Sequence, residues 1–183
     1  MASVEVDTVA AGRPAQRRIT LITGDRVVVD ARHRVISVER AAGREHIPMH
    51  TWSAGGRTYV VPIDARQPLA DGRLDQRLFD LTALGESVRE DGLRVIVGYN
   101  GATPGRASEH TGARSTAETR ARVRGSDGTA VRHTLRTLNA DALTTPHADL
   151  SGLWKALTHA RAEGSRTTAS GIARVWLDGT PCR

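Results

Sequence analysis

The sequence has little cysteine, few aromatic residues and no long apolar run. A single cysteine, Cys182, excludes an internal disulfide framework and any zinc site built on several cysteines. Three Trp, two Tyr and one Phe leave Leu, Val and Ala to fill most of the core. No segment approaches the ~18 consecutive apolar residues of a membrane-spanning helix, so we expect no membrane partner.

Lysine is the rarest charged residue. It occurs only at Lys155, so nearly all of the 26 basic residues are arginines, against 20 acidic residues and a net charge of +6. The arginines are spread along the chain and mixed with acidic residues. A nucleic-acid-binding protein usually concentrates its basic residues on one face and adds aromatic stacking platforms. We therefore expect a basic, solvated surface and no nucleic-acid partner.

The motifs of common catalytic and cofactor sites are also missing. The sequence has no P-loop, no dinucleotide-binding glycine pattern and no nucleophile elbow. His46 and His50 have the spacing of a helical metal site, but Pro48 between them disfavours a helix. Cys182 lies near the chain end, without the folded electropositive pocket that a nucleophilic cysteine needs. We expect no catalytic residues, no cofactor and no metal, and predict that the protein is not an enzyme.

The first half of the chain has the pattern of a small β-rich unit over residues 17–91. Residues 1–16 are small and polar, which predicts a disordered lead-in. The β-branched runs of Ile19–Asp30 surround a tight Gly-Asp connection and predict a hairpin. A short helix is expected over 65–71. Further strands are expected over residues 34–38, 46–52 and 58–63.

Residues 92–179 have the order strand, helix, strand, strand, helix, strand. The strands are expected over 93–99, 131–137, 140–145 and 172–177, and the helices over 114–124 and from Asp149 or Ser151 to Ala162. This is the ferredoxin-like β-α-β-β-α-β arrangement, with an antiparallel sheet and two helices on one face. The second face needs a cover from the N-terminal unit or from a partner. We predict an α+β fold, with a mobile insertion at about 101–128 and a C-terminal tail over 180–183.

Several aspartates have ordinary structural interpretations. Asp25 lies in the predicted hairpin connection, where aspartate favours turn geometry. Asp64 and Asp149 are placed to cap helices. Asp141 is expected in the tight connection between two strands of the C-terminal unit, where turn chemistry is again the simple interpretation.

Five segments together resemble the N-terminal propeptide of large secreted bacterial subtilisin-like serine proteases. The strings ITLITGDRV, GRLDQRLFDLT and RVWLDG are the most specific, and the resemblance spans about residues 17–179. The five segments are Ile19–Asp30, Tyr59–Leu84, Gly92–Asn100, Leu138–Leu157 and Ile172–Gly179.

The resemblance implies a protein that binds the catalytic domain of such a protease, in cis or in trans, as a folding chaperone, an inhibitor or both. In that family the exposed sheet face packs on two helices of the catalytic domain, and the segment after the last strand enters the substrate cleft. Asp141 matches a carboxylate that would cap the protease helices, whose N-termini favour an anion. The other expected contact residues are Asp178, Thr180, Pro181, Cys182 and Arg183.

A second interpretation keeps the scaffold and changes the partner. A stand-alone prodomain-like protein could bind a peptide or another enzyme through the same free sheet face, because a fold does not fix a function. The expected cellular location depends on whether the chain is part of a longer precursor. It is extracellular if the chain is cut from a secreted precursor, and cytoplasmic if it is complete, since the first sixteen residues lack the apolar stretch of a secretion signal.

Overall fold

In the computed structural model, the described residues are 16–86, 92–101, 109–161 and 165–179. They combine antiparallel sheets with short helices, as the predicted α+β class requires. None of the helices in these ranges is long and apolar enough to cross a membrane.

The first three strands form an antiparallel sheet in chain order. They are β1 (Arg17–Thr20), β2 (Arg26–Val29) and β3 (Val35–Glu39). The predicted hairpin between β1 and β2 is therefore confirmed. Its connection contains Gly24, which has a φ of +86°. A Cβ on this glycine would lie 3.0 Å from Cβ of Ser151, so the turn also needs glycine for close packing.

A second hairpin and four short helical segments complete the described part of the N-terminal unit. The hairpin pairs β4 (Met49–Ala54) with β5 (Arg57–Pro62), and a 3₁₀ turn then leads into α1 (Arg66–Ala70). Another 3₁₀ turn, Gln76–Phe79, precedes α2 (Leu81–Glu86). A short helix is thus present where the sequence predicts one.

Asp25 and Asp64 are part of a buried ion-pair network rather than turn and cap residues alone. Arg44 donates to both carboxylates, with Nη1 2.6 Å from Oδ2 of Asp64 and Nε 3.1 Å from Oδ2 of Asp25. The expectation that Asp64 caps a helix is wrong, because its side chain is turned to this buried guanidinium and Pro62 is the N-cap residue of the 3₁₀ turn. Arg44 thereby links the β1–β2 connection, which contains Asp25, to Asp64 in the turn that follows β5.

The C-terminal unit is built on a four-stranded antiparallel sheet. Its helices are α3 (Glu109–Arg124) and α4 (Leu150–Leu157), and a small hairpin of β9 (Thr158–Ala160) and β10 (Arg166–Thr168) follows α4. The strands of the four-stranded sheet are β6 (Leu93–Tyr99), β7 (Ala130–Leu135), β8 (Ala140–Thr145) and β11 (Ile172–Leu177), in the order β11-β6-β8-β7.

The two helices of this unit differ from their predicted bounds. The helix predicted to reach Ala162 ends at Leu157, because Thr158 takes an extended backbone with φ −135° and ψ 155° and starts β9. Its hydroxyl donates a hydrogen bond of 2.7 Å to the carbonyl of Trp154. This carbonyl belongs to the last helical turn, where carbonyls lack a donor within the helix. Asp149 stands at the N-cap position but makes no side-chain capping bond. Helix α3 begins earlier than predicted, inside the segment expected to be a mobile insertion.

The N-terminal unit packs on the helix side of the four-stranded sheet and extends it at one edge. Leu74 bridges Val175 of β11, and the Asp75 N–H donates to the Val175 carbonyl at 2.9 Å. Side chains of both units share one buried cluster that includes Phe79 and Trp154. The N-terminal unit therefore packs on an edge and on the helix side of the sheet, and the core formed by the described residues lies on that side rather than on the second face.

Candidate functional site

The candidate site is the face of the four-stranded sheet that is turned away from this core, here called the outer face. Side chains alternate between the two faces of a strand, and paired residues share a face. Val95 and Val97 lie in the core, so Ile96 between them belongs to the outer face, as does its partner Trp176. Neither Ile96 nor Trp176 is part of the core cluster, and both are half-buried. The register adds Arg94, Gly98, His133, Leu135, Ala140, Ala142, Thr144 and Arg174 to the outer face.

Trp176 is the largest side chain of the outer face, and it lies over Gly98. A Cβ placed on Gly98 would be only 2.9 Å from Cζ3 of the indole, so the glycine provides the space for the ring. The guanidinium carbon of Arg174 lies 5.7 Å from the Trp176 ring centroid, within the range of a cation–π contact. The result is a mixed surface in which the apolar side chains of Ile96 and Trp176 lie among charged and polar ones.

Asp178 lies immediately after β11, at one end of the outer face. Its carboxylate accepts from Arg132, which sits at the β-bulge of β7, and the two side chains are 29% and 30% exposed. The Asp178 N–H also donates to the Arg94 carbonyl at 3.0 Å. Asp178 is therefore held in place where the chain leaves the sheet.

Asp141 is not in the connection between strands, as the sequence analysis expected. It is the second residue of β8 and pairs with Val97, which places it on the helix side. The connection itself is a 3₁₀ turn over Arg136–Leu138 followed by Asn139, whose φ is +46°. Asparagine tolerates this left-handed conformation better than most residues, so Asn139 fills the turn role expected for Asp141.

Two arginines of α3 enclose the Asp141 carboxylate, which has no exposed surface. Arg120 and Arg124 each donate to both of its oxygens, with N–O distances of 2.7 and 2.9 Å. Burial alone would raise the pKa of Asp141, but the hydrogen bonds and charges of the two guanidiniums outweigh it and hold this pKa well below its usual value. The carboxylate is ionised and fully engaged with α3.

Arg120 extends this network to the end of β6. Its guanidinium lies 4.8 Å from the Tyr99 ring centroid and donates to Asn139 Oδ1 at 3.0 Å. The Asn139 amide in turn donates to the carbonyls of Tyr99 and Asn100. Burial and then the charge of Asp141 raise the pKa of Tyr99. The network joins α3, the β7–β8 connection and β6.

The structure does not bring together Asp141 and Asp178, the two predicted contact residues that it describes. Asp141 and Asp178 belong to separate ion-pair networks, one on the helix side and one beside the outer face. Thr180, Pro181, Cys182 and Arg183 lie outside the described residues. The sequence analysis missed Arg120 and Arg124, although their i, i+4 spacing places both on one face of a helix.

Neither metal-binding residues nor similarity to known proteins assigns a function to the site. Within the described ranges, no group of three or more His, Cys, Asp or Glu residues could hold a metal ion. Comparisons with family models, with curated proteins and with solved structures gave no match to this chain.

Proposed function

We propose that this protein is a prodomain-like binding protein that docks its outer face on the catalytic domain of a subtilisin-like serine protease. It then acts as a folding chaperone, an inhibitor or both. The observation that carries the proposal is the outer face itself, where Trp176 and Ile96 lie outside the core and remain half-buried. Apolar side chains presented together on an open sheet face are typical of a surface that a partner covers.

The sheet topology supports the proposal. The strand order β11-β6-β8-β7, with the helices following the first and third of these strands in chain order, supports the proposal of a ferredoxin-like unit. This is the fold that the resemblance to protease propeptides implies. The described part of the N-terminal unit packs on the opposite side, so it does not compete with a partner for the outer face.

The two aspartates take different parts in this proposal. Asp178 fixes the start of the segment that would run toward the substrate cleft, since it is anchored by Arg132 and by the Arg94 carbonyl. Asp141 could cap a protease helix only after Arg120 and Arg124 had withdrawn from both of its oxygens. We therefore assign Asp141 the positioning of α3 and the β7–β8 connection.

An activity assay tests this function. The chain is titrated into subtilisin, and residual hydrolysis of a chromogenic peptide is followed over time. The proposal predicts inhibition at sub-micromolar concentration that fades as the chain is digested, or, for a chaperone alone, faster refolding of denatured subtilisin. The absence of both inhibition and accelerated refolding would overturn the proposal.

The alternative partner, an extended peptide, has one observation in its favour. Strand β7 pairs only with β8 among the described residues, so its other edge is open for strand addition. The bulge at Arg132 disturbs this edge and makes it a poorer template for an added strand. Protection of β7 amides by a peptide, without any effect of a protease, would favour this alternative.

A further inference from the structure

A cavity of about 500 Å³ lies between the β4–β5 hairpin and α1, beside β11. Its volume is within the range of about 300–1,000 Å³ that is usual for small-molecule sites. The hairpin contributes Trp52 and His50, α1 contributes Arg66 and Leu69, and Arg174 of β11 closes one side. The cavity is separate from the Asp141 network.

The walls of this cavity are fixed in place by packing and backbone hydrogen bonds. Trp52 stacks on Tyr59 with ring centroids 5.2 Å apart and an interplanar angle of 17°. The Gly72 N–H donates to the Leu69 carbonyl at 3.0 Å, and the segment that follows is paired with β11 through Asp75. A ligand would meet a largely preformed site, which lowers the entropic cost of binding.

The charge of the lining is positive. Arg66 and Arg174 both line the cavity, and neither forms an ion pair with a carboxylate in the described part of the chain. Asp75 is the only carboxylate among the described lining residues, and its Oδ1 already accepts from the Arg77 N–H at 3.0 Å. Arg66 is therefore available to an anion, and so is Arg174, whose described contact is the cation–π contact with Trp176.

We propose that this cavity binds a small aromatic carboxylate. The flat apolar body of the ligand would pack against Trp52 and Leu69, since aromatic rings favour stacked or edge-on contacts with other rings. Its carboxylate would lie between Arg66 and Arg174, because a guanidinium presents paired donors that match the two oxygens of a carboxylate. The same positive charge disfavours a cationic ligand. This inference does not rest on protease binding, although Arg174 belongs to both the cavity and the outer face.

A titration with 2-naphthoate followed by ¹H–¹⁵N NMR tests the proposal. A ligand of this size should bind with a Kd of about 1 mM or tighter. The indole N–H signal of Trp52 should shift, whereas that of Trp154, which is 1% exposed, should not. The neutral analogue 2-naphthamide should bind about tenfold more weakly. The Trp176 signal can shift as well, because Arg174 lies over its ring. Equal affinity for the amide, or an unshifted Trp52 signal, would overturn the proposal.

Arginine variants provide the second part of the test. The R66Q/R174Q double variant should lower the affinity for 2-naphthoate at least about tenfold. Arg122→Gln, an exposed position on α3, is the matched control and should bind like the parent chain. Arg66 is exposed and can also be replaced alone, which keeps the test valid if the double variant does not fold. Unchanged affinity in the folded R66Q variant would contradict the proposed role of this residue.

Discussion

Arg132 and Asp178 form an ion pair that joins β7 and β11, the two outermost strands of the four-stranded sheet. Strands β6 and β8 lie between them, so the pair links distant parts of the sheet at one end of the outer face. Both residues are close to the point where the chain leaves β11. This ion pair fixes the point where the chain leaves the sheet, relative to the outer face that we propose as the docking surface.

The Arg132–Asp178 pair should contribute modestly to stability. Both side chains are about one-third exposed, so solvent screens their attraction. A double-mutant cycle with R132Q and D178N, measured by urea unfolding, should give a coupling energy of about 0.5 kcal/mol. A coupling above about 2 kcal/mol would contradict this expectation and indicate a pair shielded from water.

The Asp141 network should make the protein sensitive to acid. The pKa of Asp141 is lower in the folded chain than its ordinary value of about 3.9 in an unfolded one. Its contribution to stability is therefore complete above that value and is lost as the pH falls toward the folded pKa. The free energy of unfolding should decrease on acidification below about pH 4.

Replacement of Asp141 isolates this effect. The D141N variant should lose about 2 kcal/mol of stability at pH 7, because two guanidiniums lose their common partner. Its remaining stability should depend less on pH in the acid range than that of the parent chain. Asp127→Asn, at an exposed turn, is the control and should keep the parent pH profile. A D141N variant with the parent acid sensitivity would show that other carboxylates cause it.

Arg44 should be essential for stability. Its removal deprives Asp25 and Asp64, which are 0% and 2% exposed, of the guanidinium that pairs with both. Arg44→Met should therefore cost about 3–5 kcal/mol in urea unfolding. Arg34→Met is the matched control, because the Arg34 side chain is 72% exposed in its pair with Asp30, and it should cost less than about 0.5 kcal/mol. Similar losses in both variants would refute the buried network.

Gly98 should be needed for the position of Trp176. A Cβ at residue 98 would approach Cζ3 of the indole to 2.9 Å, so the ring must move in Gly98→Ala. We expect a shifted Trp176 indole N–H signal and a loss of stability of about 1 kcal/mol. Gly101→Ala is the control, since a Cβ there meets no atom within 4 Å. An unchanged Trp176 signal in G98A would mean that the ring does not rest on this glycine.

The sequence predicted the strands of the C-terminal sheet well. The bounds of β6, β8 and β11 agree with the residues predicted. Strands β6 and β11 are rich in β-branched and aromatic residues, whereas β8 is marked by the turn residues Asn139 and Pro146 on its two sides. The end of α4 was missed. Helical spacing continues beyond Leu157, but Thr158 pairs with Thr168 in a separate hairpin. Tertiary pairing overrides a local helix pattern here.

The ion-pair networks were not predictable to the same degree. Arg120 and Asp141 are 21 positions apart, and Arg44 and Asp64 are 20 apart, so local pattern alone does not reveal either pair. Turn and cap roles were the sensible local interpretations for the aspartates. Burial, which the sequence pattern does not assign to single carboxylates, determines their actual partners. The outer face could be anticipated because it follows from strand alternation and element order.

The affinity of the chain for subtilisin blocked with phenylmethylsulfonyl fluoride, measured by calorimetry for matched variants, tests the central claim most directly. Trp176→Ala should weaken binding by about 2 kcal/mol, or about thirtyfold, as expected for a central aromatic anchor. Ile36→Ala removes another apolar side chain, 49% exposed on β3, and should bind like the parent chain. Sub-micromolar binding by the parent chain, weakened only by W176A, is the predicted result. Absence of binding, or equal binding by W176A, would contradict docking through the outer face.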